Sequence, residues 1–504
     1  MGSASNPLHK TAETAPSGQA DYCTYVEVSG IYTLATLPGA GSGDYETTYR
    51  LYLGSDNMRD YNLLRNRAYT VNVTLRGRNK ADMRVESEPL IDLSAKGTAN
   101  CYIVSKPSGY YTFDATVMGN GATTPAFECD DQSAPAIVPE ALAPDDAILV
   151  WESGTKGSVI VPGSVALSAD GRYIRFKLSS SVGGNAVIAA TKEGTIIWSW
   201  HIWSTTYDPE TSYDLYTTRT ITADGYNQLP ERTVAMMKVN LGATTEQSTS
   251  GRDALPCYGL LYQWGRKDPF PGANTFYSSS NESGTFSPLT NSGTTYYEPW
   301  TRSGAYALEN AESSIRFSIE HPTYFLIMKR LSAQQDWVAD KDKRAGQRDN
   351  LWGNPNASDR YPNPELGAKS IYDPCPAGWR VPAQDTWTRF TYSGIKAGTA
   401  GEMNIEGKWT YGFRYYYGGD QTGETTAYPA TGYRSAGDVK LVNIGGRSYY
   451  WYSSPPSMSD TYRPKGCALE VFSINTGGGN VRTDPFSTQY VPRAGGCSVR
   501  CTKE

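Results

Sequence analysis

Short stretches that alternate polar and apolar residues with period two, broken by Gly, Asn and Asp turns, constrain this chain more than any other feature. Tyr25-Val26-Glu27-Val28-Ser29-Gly30-Ile31-Tyr32 alternates in this way, and residues 48–53 and 69–75 repeat the pattern. Further on, strands are predicted over 101–104, 110–117, 147–151, 173–178, 185–190 and 195–203. Ala169-Asp170-Gly171 and Lys192-Glu193-Gly194 supply turns at the spacing of an all-β sandwich. No long amphipathic helix interrupts either region. After a polar, Thr- and Asp-rich connection the texture changes: Gly, aromatic and Pro-Gly signals become dense, and 278–304 and 340–364 lack periodicity. Short helices are expected over 383–390, where Trp387 and Phe390 share a face, and near 325–335.

At 504 residues the chain exceeds one ordinary hydrophobic core, so several domains are expected. Its 37 Tyr, 12 Trp and 50 Gly suit cross-strand aromatic pairs, and they equally suit adaptable recognition surfaces. A net charge of −5 argues against a nucleic-acid partner, because phosphate binding needs a basic surface. The cysteines at 23, 101, 129, 257, 375, 467, 497 and 501 form no CxxC pair, and His9, His201 and His321 are scattered. No metal or other cofactor is therefore expected, and disulfides in an oxidising compartment are. No apolar run reaches the roughly eighteen residues of a membrane span. The polar opening, residues 1–20, reads as an appended leader or a processed end with no part in the fold, as for an exported protein whose signal is gone.

Two sets of motifs carry a resemblance. Tyr49-Arg50-Leu51-Tyr52-Leu53-Gly54, Asn62-Leu63-Leu64-Arg65-Asn66 and Tyr69-Thr70-Val71-Asn72-Val73-Thr74-Leu75-Arg76-Gly77 resemble the end of a Bacteroidales fimbrillin domain. Fimbrillins are type V pilus subunits, transthyretin-like sandwiches assembled by strand donation. Leu260-Leu261-Tyr262-Gln263-Trp264-Gly265-Arg266-Lys267-Asp268-Pro269-Phe270-Pro271-Gly272 is similar to the FISUMP-type C-type-lectin-like domains. So are Tyr372-Asp373-Pro374-Cys375-Pro376-Ala377-Gly378-Trp379-Arg380-Val381-Pro382, Tyr428-Pro429-Ala430-Thr431-Gly432-Tyr433-Arg434 and the closing Cys497-Ser498-Val499-Arg500-Cys501. The resemblance implies a multidomain chain: all-β sandwich modules, transthyretin-like or Ig-like, followed by an α+β C-type-lectin-like domain. The boundaries are a fimbrillin-like β domain over 21–97, a sandwich over 98–208, a linker over 209–232 and the lectin-like head over 233–504. It also suggests that Cys375 and Cys501 close the head, with Cys467–Cys497 as a reasonable second pair, although spacing fixes neither.

For function, the resemblance implies a cell-surface adhesin of the fimbrium, at a pilus tip, with pilin subunits as partners through strand donation. Its ligand is a host or bacterial surface protein or glycan. The expected ligand-binding residues are Tyr449, Tyr452, Tyr462, Arg463, Arg482, Asp484, Phe486 and Tyr490, rigid aromatic anchors beside adaptable polar groups. That mixture is also compatible with diversification by a retroelement. The alternative is a glycan-binding surface protein outside any pilus, and a third reading is an enzyme of the formylglycine-generating fold. Catalysis is not the expected activity: the late cysteines look committed to disulfides, and neither His201 nor His321 adjoins a nucleophile motif. Calcium-dependent sugar binding is not expected either. The Glu-Pro-Asn and Gln-Pro-Asp tripeptides are missing, and Asn354-Pro355-Asn356 and Asn363-Pro364-Glu365 read as loops.

Overall fold

The computed structural model describes residues 10, 15, 22–34, 43–55, 60–70, 85–129, 132–221, 230–246, 256–272, 283–284, 299–301, 310–327, 336–338, 348–353, 368–409, 412–437, 439, 441–454, 465–472, 482–485 and 490–504. They form two compact units and are mostly β-structure in several sheets.

The first unit comprises the chain to Asp92 with Gly109–Thr112. Tyr25–Leu34 and Gly43–Tyr52 pair antiparallel along their whole length, from Tyr25 opposite Tyr52 to Leu34 opposite Gly43. Val85–Asp92 adds to the second of these, and its last residues pair in parallel with Tyr110–Thr112. The register sets Glu27 opposite Arg50, which form an ion pair at 3.0 Å. It also brings Tyr25 edge-on to Tyr52 at 5.6 Å, and Tyr52 in turn to Tyr61. Of the strand expected over 69–75, Tyr69 and Thr70 are irregular and the rest lies outside the described residues.

The second unit comprises Leu93–Ser108 and Phe113–Glu504. Its N-terminal part contains five of the six expected strands, with ends shifted by a few residues; the sixth, expected over 110–117, stops at Asp114 and its first three residues belong to the first unit. Gly184–Lys192 is central to a sheet with Asp146–Glu152 on one side and Thr195–Ser204 on the other, and Cys101–Val104 beyond the latter. The Gly184–Lys192 and Thr195–Ser204 hairpin closes on Glu193-Gly194, whose φ angles of 52° and 78° are those of the tight turn that matches strand twist. Tyr173–Lys177 alternates, turning Ile174 and Phe176 inward. Phe113 packs there against Tyr102 at 4.9 Å and Trp200 at 5.0 Å.

Residues 209–232, expected as a linker, contribute a strand instead. Tyr213–Thr217 pairs with Thr233–Met237 in a sheet that also holds Trp379–Arg380 and Thr502–Lys503. A larger sheet carries Leu261–Gln263, Gly496–Ser498, Arg447–Trp451, Lys465–Phe472 and Arg482–Asp484. One hydrophobic cluster runs from Trp151, Val187 and Trp203 of the sandwich to Met237, Tyr262, Trp264 and Trp451. The sandwich and the C-terminal region therefore share a core. A second cluster on the other face of the larger sheet gathers Tyr216, Trp387, Phe390, Tyr415, Tyr428, Tyr450 and Tyr452.

The helix expected over 383–390 is a tight 3-10 segment, Gln384–Phe390, with Trp387 and Phe390 buried in that second cluster. Of the helix expected near 325–335, residues 328–335 lie outside the described residues. Phe325–Ile327 is a buried three-residue strand, an apolar run too short to distinguish strand from helix by pattern. An α-helix lies instead at Ala311–Glu320. It starts at Asn310, whose side chain accepts from the Ser313 amide while Ser313 bonds back to the Asn310 backbone.

Cys375 and Cys501 are bonded, with Cα atoms 6.1 Å apart, and join the middle of the C-terminal region to its last strand. Cys467 and Cys497 are not joined, contrary to expectation. The strand Arg447–Trp451 lies between theirs, and two inter-strand steps of about 4.8 Å exceed the Cα reach of a disulfide of about 7 Å. Their side chains also enter different clusters, Cys497 the first and Cys467 the second.

Candidate functional site

The motifs that make the C-terminal region recognisable are buried anchors. Gln263 donates from one amide nitrogen to the carbonyls of Leu326 (2.7 Å) and Ala494 (2.8 Å). Arg266 is buried over Phe270 and Trp337 and donates to Gln263 Oε1 and the Tyr324 carbonyl; burial lowers its pKa to about 10. Lys267 donates to Asp268 Oδ1 (2.7 Å), Ser199 Oγ (2.5 Å) and the Ser199 carbonyl, above the Trp198 ring. Burial lowers the Lys267 pKa, and Asp268 opposes that shift. In the second motif, Asp373 accepts from the amides of Cys375 and Val381, both at 2.8 Å. Burial raises its pKa to about 6, against the pull of Lys369. Lys369 itself donates to the carbonyls of Cys375, Pro376 and Trp379. In the third, Gly432 has φ 75°, and a Cβ there would meet the Val442 carbonyl at 2.8 Å. These groups hold the scaffold; among the described residues the buried Arg266 Nε has no partner.

The eight expected ligand residues divide. Tyr452 is fully buried beside Trp387 and donates to the Pro485 carbonyl, and Asp484 is fully buried as well. Both serve the interior, as do their neighbours Trp451, Ser453, Thr483 and Pro485. Tyr449 is also buried, edge-on to Tyr433, and burial drives its hydroxyl pKa up. Arg482 is half-buried. Tyr490 lies in Tyr490–Pro492, opposite Cys467. Tyr462, Arg463 and Phe486 lie outside the described residues.

What reaches solvent around Arg482 is a cross-strand row. Phe472 stands opposite both Arg447 and Arg482, and Glu470 stands opposite both Tyr449 and Asp484. Glu470 is completely buried and accepts from Arg447 Nε and Arg482 Nε, each at 2.5 Å. Both guanidinium groups lie over the Phe472 ring, at 5.3 and 5.9 Å. About a quarter of each arginine side chain is exposed, 23% and 27%. Arg447, Glu470 and Phe472 were not singled out from the sequence. Their signal is the i, i+2 spacing in Arg447-x-Tyr449, Glu470-x-Phe472 and Arg482-x-Asp484, which puts all six on one face once the strands pair.

His201 and His321 are structural, and His9 lies outside the described residues. His201 Nε2 lies 2.9 Å from Asn185 Oδ1 in the core, and burial depresses its pKa to about 3. His321 ends the helix and stacks on Tyr324. Among the described residues, no group of three His, Cys, Asp or Glu is placed to hold a metal.

A second surface lies in the first unit. Tyr25–Leu34 is the edge strand of its sheet, and Val26, Val28 and Ile31 are exposed by 44%, 37% and 39%. Among the described residues no strand pairs with the outer edge of Tyr25–Leu34, which makes it a template for another chain.

Residues 1–73 match the family model described as "Domain of unknown function (DUF4906)". No curated protein and no solved structure matches the chain. Among the described residues, no helix is long and apolar enough to cross a membrane.

Proposed function

We propose that this chain is a cell-surface adhesin that is added to a pilus, at its tip, and binds a protein or glycan through its C-terminal region. The observation that carries the reading is the exposed apolar edge of Tyr25–Leu34, within a segment matched by a family associated with fimbrillin-like proteins. An edge of this kind suits β-augmentation, in which main-chain hydrogen bonds give affinity and alternate side chains give specificity. A pilin subunit is the partner. The C-terminal motifs support a C-type-lectin-like head, because each serves to fix an irregular, loop-rich scaffold rather than to bind.

In this reading the head presents Arg447, Phe472 and Arg482 as its rigid recognition row, with Glu470 holding both guanidinium groups in place. Arginine and aromatic side chains held rigidly are the groups that dominate interface energetics. The protein binds rather than catalyses: the best-placed histidine is buried and neutral, and the reactive groups around it are engaged in the core.

A photoreactive amino acid at Val28, in cells that assemble pili, tests the assignment. The expected product is a cross-link to a pilin subunit, absent when the label stands at the buried Ile174. A full-length surface protein that cross-links to no pilin, yet still attaches to glycan, is the alternative of a glycan-binding protein outside any pilus.

A further inference from the structure

A cavity of about 660 Å³ opens within the second unit, away from the arginine row. One wall is the helix Ala311–Glu320, which turns Ile315 and Ile319 toward it from successive turns. The opposite wall is the start of Thr195–Ser204, with Ile196 and Ile197, and the loop around Ile137. These five isoleucines are only half-buried, whereas Leu142, Leu351 and Ile371 form a buried floor. Solvent-facing isoleucines gathered in a concave site, when single ones are the norm, mark a place that something apolar fills.

The lining identifies the class of occupant. It is aliphatic, with Tyr372 as its one aromatic ring, so it offers no stacking platform for a sugar or a base. The charged groups around it balance: Glu140, Glu312 and Glu320 against Lys192, Arg316 and Arg348. A balanced rim attracts no strongly charged ligand. The volume falls in the range of small-molecule sites, about 300–1,000 Å³, and the site is concave rather than a broad flat interface. Tyr372, in the lining, carries a hydroxyl that can hydrogen-bond a polar group.

We propose that this cavity binds a linear aliphatic chain, the acyl or alkyl chain of a lipid-like molecule, with its polar end at the charged rim. The walls come from both the sandwich and the helix of the C-terminal region, so an occupied cavity would stiffen the join between them. The inference is independent of the adhesin reading, whose test is the cross-link at Val28.

The experiment uses the full chain and the fluorescent apolar probe phenylnaphthylamine, displaced by octanol, decanol and dodecanol and by the matching carboxylic acids. Expected are saturable probe binding and displacement that tightens about fourfold per added methylene, the fold-change equivalent to ~0.8 kcal/mol of transfer free energy. Comparable potency of alcohols and acids identifies a neutral lipid chain as the source; acids at least tenfold stronger identify a free fatty acid. Ala141→Trp, which fills the groove from an exposed position, should weaken probe and alcohols by at least tenfold with the melting temperature little changed. Ile319→Asp should do the same, so a folding defect in one variant leaves the other to decide. Displacement without chain-length dependence, unchanged binding in both folded variants, or displacement only by a leucine-rich peptide would each overturn the proposal.

Discussion

Asp268→Ala is the most informative single perturbation of the scaffold. Asp268 accepts from Lys267 Nζ at 2.7 Å and from Ser199 Oγ at 2.6 Å, and all three side chains are buried. Removing the carboxylate strands a buried ammonium, a change that typically costs about 3–5 kcal/mol. Lys267 keeps the Ser199 hydroxyl and carbonyl as acceptors, so the low end, about 3 kcal/mol, is the expected value at pH 7. Burial already lowers the Lys267 pKa, and losing Asp268, the group that opposes this, lowers it further. A lysine with a depressed folded pKa contributes stability above its unfolded pKa and loses it as pH falls. The variant's deficit should therefore shrink between pH 7 and pH 10. Urea unfolding followed by tryptophan fluorescence reads both values. Lys267→Met combined with Asp268→Ala should recover much of the loss, because no buried charge remains. A double variant as unstable as Asp268→Ala alone at every pH would refute the stranded-charge argument. Ser199 belongs to the sandwich and Lys267 to the C-terminal motif, so the account also requires one transition, not two.

The other scaffold predictions are simpler. Non-reducing peptide mapping should recover Cys375 joined to Cys501 and never Cys467 joined to Cys497, and Cys375→Ser should cost about 2–4 kcal/mol in urea unfolding. Tyr452→Ala should cost about 3–5 kcal/mol, like other large buried aromatics, and reduce attachment only in proportion to unfolding. Between pH 6.5 and about 3 the unfolded chain protonates at His201 while the folded chain resists, so acidification removes stability. Asp336 and Asp373, with folded pKa values near 6, act in the opposite sense and gain stability as pH falls from 6 toward 3.8. A His201→Gln variant should therefore lose less stability than the parent on going from pH 7 to pH 5, and an equal loss would contradict the assignment.

The β-structure was legible in the sequence because alternation and the Glu193-Gly194 turn act locally. Strands such as Cys101–Val104 and Thr195–Ser204 appear where the pattern puts them. Less visible was the shared core. That Trp203 and Trp264 fill one cluster depends on contacts between distant segments, and no local pattern encodes it. The same limit explains Tyr213–Thr217, which reads as a polar connection but pairs with Thr233–Met237 across its own loop. In the candidate site, composition could not sort the stretch by face. Tyr452 and Asp484 read as binding residues by type, and only packing places them in the interior. Arg447 and Phe472 become a unit with Arg482 only through cross-strand register.

Attachment of purified chain to host-cell and bacterial surfaces, compared between the parent and Arg447→Ala/Arg482→Ala, tests the central claim most directly. Truncating two rigid anchors should weaken attachment by about thirtyfold or more, the equivalent of ~2 kcal/mol at a true hot spot. Because Glu470 is fully buried between them, the double variant also carries Glu470→Gln so that no buried carboxylate is stranded, and attachment is scored beside the melting temperature. Attachment that survives in the folded double variant would contradict the account and move the binding face away from this row.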